Sequence, residues 1–172
     1  MSASEDCTLK LWDANRFVTQ KDQGTDIEPY LTLRGHRQAI LSLTGRDITH
    51  SNGLNDSIVL SGSVDGHLKA WRIPHPSQVG DPLGANRDQS YCIATWDNAH
   101  NKQPVWDIRI HPYENIFLSV GSDQSIGLWQ VPPYSGKAEV DPSPQTLLGR
   151  FRKHLPTASG YLTPTSCSWI AD

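Results

Sequence analysis

Between His67 and Ile73 the chain alternates with a period of two, so Leu68, Ala70 and Arg72 share one face of an extended strand. His67, Lys69, Trp71 and Ile73 share the other. Both faces carry apolar groups, which suits a strand in a sheet packed on both sides. Just upstream, Leu60-Ser-Gly-Ser runs into Asp65-Gly66, a turn dipeptide between two short strands, and predicts a hairpin. Further strands are predicted at Ile40–Leu43, Val105–Ile110 and Ser166–Ile170, each after a His-bearing turn. Val105 should face a neighbouring layer, and alternation then aims Trp106 the opposite way.

These elements recur. Ser2 to Trp12, Ser61 to Trp71 and Ser119 to Trp129 align without gaps, with Asp6, Asp65 and Asp123 four residues after the Ser and six before the Trp. Arg34-Gly35-His36 and Asn98-Ala99-His100 occupy matching upstream positions, and Arg152-Lys153-His154 is a third copy. The Gly-His element, the Ser-x-x-x-Asp turn and the closing Trp (followed by Asp13 in the first copy) resemble the WD40 family. The resemblance implies an all-β WD40 β-propeller, here incomplete, with about three blades of four-stranded antiparallel sheet. Residues 1–34 read as strands b, c and d of one blade, 35–97 and 98–152 as full blades, and 153–172 as the first strand of a further blade, at Thr165–Ile170. Propellers usually close with about four to eight blades, so the chain is expected to be a piece of a larger ring.

The same resemblance implies hydrogen-bonded tetrads in which the Asp accepts from the imidazole, which is held to the Ser hydroxyl and then to the indole N–H. By position these are His36, Ser61, Asp65 and Trp71, then His100, Ser119, Asp123 and Trp129; Ser2, Asp6 and Trp12 form a remnant without its His. Ser, His and Asp together also invite a catalytic-triad reading, such as a hydrolase using Ser61 with His36. Repetition argues against it, because a catalyst needs one site while a repeated fold needs the same brace in every blade. No Gly-x-Ser-x-Gly elbow, HExxH, metal-type Cys/His spacing or Gly-rich phosphate loop occurs. No catalytic residue, metal site or cofactor is therefore expected.

Surface remains as the functional element. In a four-stranded meander the turns before strand a and between b and c share one end. There Leu41, Trp106, Glu5, Val64 and Ser122 are candidate partner-binding residues. An exposed Trp106 would anchor a partner well; the other reading buries it between blades. Three long insertions, Asp13 to Ile27, Pro74 to Ser90 and Pro132 to Ser143, fall at the opposite end. Two readings stand for them: growth toward a partner, or loop length tolerated at little cost.

Composition narrows the class. Fifteen Lys and Arg against eighteen Asp and Glu give a net charge of −3, which offers no broad basic field for nucleic acid. The short basic cluster Arg150, Arg152, Lys153 and His154 reads as a solvated strand end. Three cysteines without a CxxC suit reduced thiols, and the sequon Asn55-Asp56-Ser57 reads as a polar turn. No apolar run approaches a membrane span and the start resembles no signal peptide, so a cytoplasmic protein is expected.

Ser4–Asp13, then Asp26–His36 with its Ile-Glu-Pro-Tyr strand, and Ser61–Trp71 with a Pro-rich insertion after it are similar to the C-terminal propeller of striatins. Striatins are scaffold subunits that bring protein phosphatase 2A together with kinases and adaptor proteins. The resemblance implies a non-catalytic scaffold with protein partners: adaptors, kinases or phosphatase subunits. The heptads of the striatin coiled coil are not found, so phosphatase binding by this chain alone is not implied. The alternative is a WD40 substrate- or peptide-recognition module of another complex, such as a ubiquitin ligase.

Overall fold

The computed structural model describes residues 1–19, 26–49, 55–75, 91–131, 147–152, 156–157, 160–161 and 163–170. Its framework is three successive antiparallel sheets. Strands β1 (Ser2–Ala3), β2 (Thr8–Leu11) and β3 (Leu31–Arg34) form the first. The second is a four-stranded meander of β4 (Ile40–Thr49), β5 (Asn55–Ser63), β6 (Leu68–Ile73) and β7 (Cys92–Trp96). The third repeats it with β8 (Val105–Ile110), β9 (Ile116–Gly121), β10 (Ser125–Gln130) and β11 (Leu147–Arg152). A small hairpin, β12 (Pro156–Thr157) with β13 (Gly160–Tyr161), follows.

The alternation in β6 separates two cores. Leu68 and Ala70 join Ile58, Leu60 and Trp96 against Ile108, Phe117 and Trp129 of the third sheet. Trp71 and Ile73 turn the other way, to Val59 and to Leu9, Leu11 and Leu33 of the first sheet. Register keeps these sets apart, since Leu60 pairs with Ala70 and Val59 with Trp71. Each fully buried large side chain here is worth about 1.5–3 kcal/mol of transfer free energy. Trp96 meets Phe117 edge-on at 5.1 Å, a geometry that the aromatic quadrupole favours.

The inner strands pack closely. A Cβ on Gly62 would lie 2.6 Å from Val105 Cγ1, so only glycine lets β8 approach β5 here. Arg46 of β4 reaches the turn between β8 and β9, donating to the carbonyls of His111 and Glu114 and to Asn115 Oδ1 at 3.0, 2.9 and 2.8 Å.

Four expectations need correction. Thr165–Ile170 is not a strand: a ladder needs a partner strand, and none of the described residues supplies one. The segment is held by side chains instead, with Ser166 Oγ and Cys167 N donating to Asp107 and Trp169 Nε1 donating to the Arg109 carbonyl. Asn55-Asp56-Ser57 is no turn but the start of β5, where Asp56 is buried and paired with Arg72 at 2.6 Å. Arg150 is not a solvated strand end, because its guanidinium sits 5.9 Å over the Trp129 ring and donates to the Ala99 carbonyl. The first insertion is not all loop, since Ala14–Thr19 forms a short helix, α1, opened by Asp13 Oδ1 accepting from Asn15 N. The rest of that insertion at 20–25, nearly all of the other two, and His154 lie outside the described residues. Among the described residues no helix is long and apolar enough to cross a membrane.

Candidate interaction face and the buried networks beneath it

Each Asp turn is built by the same local chemistry. The residue after the Asp adopts positive φ: 66° at Cys7, 81° at Gly66 and 63° at Gln124. The carboxylate then accepts from the backbone N–H two residues on, of Thr8, His67 and Ser125. This is an Asx turn, which tolerates a left-handed residue because the side chain replaces a backbone bond. Thr8 and Ser125 add their hydroxyls to the same oxygens, both at 2.6 Å.

In the third sheet the network is continuous. Trp129 Nε1 donates to Ser119 Oγ at 2.8 Å, and that hydroxyl meets His100 Nε2 at 2.7 Å. His100 Nδ1 lies 2.8 Å from Asp123 Oδ1. Neutral His100 as the Nδ1–H tautomer satisfies every group: Nδ1–H donates to Asp123 while Nε2 accepts from Ser119. Burial holds the His100 pKa down although the Asp123 hydrogen bond and charge oppose it. For Asp123, burial alone raises the pKa, but hydrogen bonds from Ser125 and His100 outweigh it and the net shift is downward.

In the second sheet the brace stops one step short. Trp71 Nε1 donates to Ser61 Oγ at 2.8 Å, and Ser61 meets His36 Nε2 at 2.7 Å. Asp65 does not reach His36. Its Oδ1 lies 2.9 Å from His67 Nδ1, although that nitrogen makes no hydrogen bond among the described residues. His36 Nδ1 is left buried without a partner among the described residues. Burial, with the nearby Lys69 charge, pushes the His36 pKa down to about 4. Where the other turns carry Thr8 and Ser125, this one carries His67, whose imidazole lies against Asp65. In the first sheet Trp12 Nε1 donates to Ser2 Oγ at 3.1 Å, while Asp6 is engaged by Thr8.

The Ser61 and Ser119 hydroxyls are fully buried and each already meets an imidazole and an indole. Such a hydroxyl cannot present its oxygen to a substrate, so the geometry is that of a brace.

Above these braces the five surface candidates lie at one end of the sheets. Val105 is fully buried while Trp106 is 43% exposed, so the indole is not packed between sheets. Its Nε1 donates to Ser122 Oγ at 2.7 Å, and Ser122 N donates to the Pro104 carbonyl. Leu41 is exposed at the start of β4, which packs beside β8. Val64 is half-buried in the β5–β6 turn, its N–H on the Ala39 carbonyl, and Glu5 is exposed in the β1–β2 turn. The structure therefore joins Trp106 to Ser122 directly and sets Leu41 on the adjoining strand. Glu5 and Val64 sit in equivalent turns. Three working groups escaped sequence reasoning: Arg46, Asp107 and His67. Only His67 carried a signal, as the repeat position where a hydroxyl residue is replaced.

Comparison with known proteins agrees with this architecture. The WD domain, G-beta repeat family matches residues 27–72 and 90–130. Striatin-3 of Rattus norvegicus is 34% identical over 130 residues, covering 75% of this chain and 15% of that protein. Striatin-4 of Homo sapiens is 29% identical over 172 residues, covering 99% of this chain and 20% of that protein. The chain thus spans no more than about a fifth of the length of these relatives. Among solved structures, a chain of a humanized mutant of the Chaetomium thermophilum Polycomb Repressive Complex 2 bound to the inhibitor GSK126 superposes with a TM-score of 0.54. It is 19% identical, over 78% of this chain and 23% of that one, and shows likeness of fold alone. This chain belongs to the WD40 repeat family, as all-β propeller blades, and within that family it is similar to striatins.

Proposed function

We propose that this chain is a non-catalytic segment of a striatin-like, cytoplasmic protein-interaction scaffold that binds its partner through the end carrying Trp106 and Leu41. The observation that carries the reading is Trp106: a large ring, 43% exposed, on a strand whose alternate residues are buried. Its single polar atom is already satisfied by Ser122, so what remains for a partner is the apolar ring at low entropic cost. The likeness to striatins supports adaptors, kinases or phosphatase subunits of a phosphatase 2A assembly as the partners.

Trp106→Ala in the intact protein is expected to weaken adaptor or kinase capture by about 2 kcal/mol, roughly thirtyfold, with little change in thermal midpoint. Unchanged capture would reject this face, and a stability loss of about 3–5 kcal/mol would show that the ring packs rather than recognises. Capture of a ubiquitin-ligase subunit in place of those partners would favour the substrate-reader alternative.

A further inference from the structure

His67 stands between two carboxylates from different parts of the second sheet. Its Nδ1 is 2.9 Å from Asp65 Oδ1 in the β5–β6 turn, and its Nε2 is 3.3 Å from Asp97 Oδ1 just past β7. The ring is about a third exposed, so protons reach it. His36, whose ring feels the Asp65 charge, has its Nδ1 buried without a hydrogen-bond partner among the described residues. In the third sheet the matching atoms, His100 Nδ1 and Asp123 Oδ1, are bonded at 2.8 Å, and Ser125 occupies the place of His67.

We propose that His67 is a proton-operated switch that decides whether Asp65 ties its turn to Asp97 or completes the buried His36–Ser61–Trp71 brace. Protonated, the imidazole carries a positive charge between the two carboxylates and attracts both at once. Neutral, it keeps one N–H and one lone pair, and the carboxylate facing the lone pair is repelled. Asp65 then has an unsatisfied donor waiting, the Nδ1–H of His36. Burial keeps His36 neutral, so it does not compete for the proton. The other charged groups around the pair are Lys69 of β6, held by Thr95 Oγ1 at 2.8 Å, and Lys102, whose backbone lies against Gly66.

The test is nitrogen NMR of the imidazole rings in the intact chain through pH about 5 to 8, where histidines ordinarily titrate. At low pH, His67 should show two protonated nitrogens and His36 an unbonded Nδ1. At high pH, the His36 Nδ1 proton should move downfield as Asp65 arrives, with the same midpoint as His67. His67→Ser should fix the His36–Asp65 bond at every pH. The milder Asp97→Asn should move the His36 and His67 transitions together. A His36 signal that stays unchanged through the His67 titration overturns the proposal. So does a His36 Nδ1 still unbonded in His67→Ser, or transitions that separate in Asp97→Asn. None of these readouts depends on a binding partner.

Discussion

A side chain's partners decide what removing it costs, and the two complete repeats offer a controlled comparison. Asp123→Ala strands the His100 Nδ1–H, the Ser125 hydroxyl and the Asn101 amide, the first two buried. That loss is expected to cost about 1–3 kcal/mol in denaturant unfolding. Asp65→Ala should cost less, because Asp65 makes no hydrogen bond to His36, while its partner His67 reaches solvent and its partner Ser63 keeps the Ala39 carbonyl. Equal losses for the two would mean that Asp65 bonds His36 most of the time. Acid should expose the same residues. His36 titrates near 4 in the fold and near 6.5 when unfolded, so on acidification the unfolded chain takes up the proton first. Stability is full above about pH 6.5 and drains away down to about pH 4, by on the order of 3 kcal/mol from His36 alone. His100, also shifted down, acts in the same direction. Urea midpoints at pH 7.5 and pH 4.5 measure this, and equal midpoints would contradict it.

At the scale of the element, the sheets are set by close approach as much as by apolar area. Gly62 is buried in β5 opposite Val105 of β8, and a methyl group there would also fall 2.5 Å from Ser42 Oγ. Gly62→Ala must therefore push β8 away or distort β4, and overpacking of this kind costs roughly 1–3 kcal/mol. Calorimetry should register a lower thermal midpoint. A midpoint equal to that of the parent would show that the inner strands can slide apart without penalty.

Across the whole molecule, each sheet is fastened to the next by polar reach at the edges of the apolar cores. Ile40 N donates to the Ser4 carbonyl between the first two sheets, and Arg46 spans from the second to the third. Asp107 then gathers Ser166 and Cys167. Arg46→Ala should cost about 0.5–2 kcal/mol and speed amide exchange around Glu114 and Asn115, leaving β5 and β6 protected. Uniform loss of protection over all three sheets would instead mean that the repeats unfold as one unit.

Much of this architecture follows from the order of residues alone. Period-two alternation assigns Leu68 and Ala70 to one core and Trp71 to the other, because successive strand side chains must point oppositely. The Ser, Asp and Trp spacing likewise places the turns, since an Asx turn depends only on residues two apart. The alternation at Val105 gave the direction of Trp106, but its exposure depends on whether another layer covers it, which no local pattern encodes. Position named Asp65 as the partner of His36, yet the carboxylate lies beside His67 instead, because hydrogen bonds are divided by distance and angle in three dimensions. The reach of Arg46 across sheets and the burial of Asp56 beside Arg72 belong to the same class. They join residues far apart in the chain, so only the packing of one sheet on another brings them together.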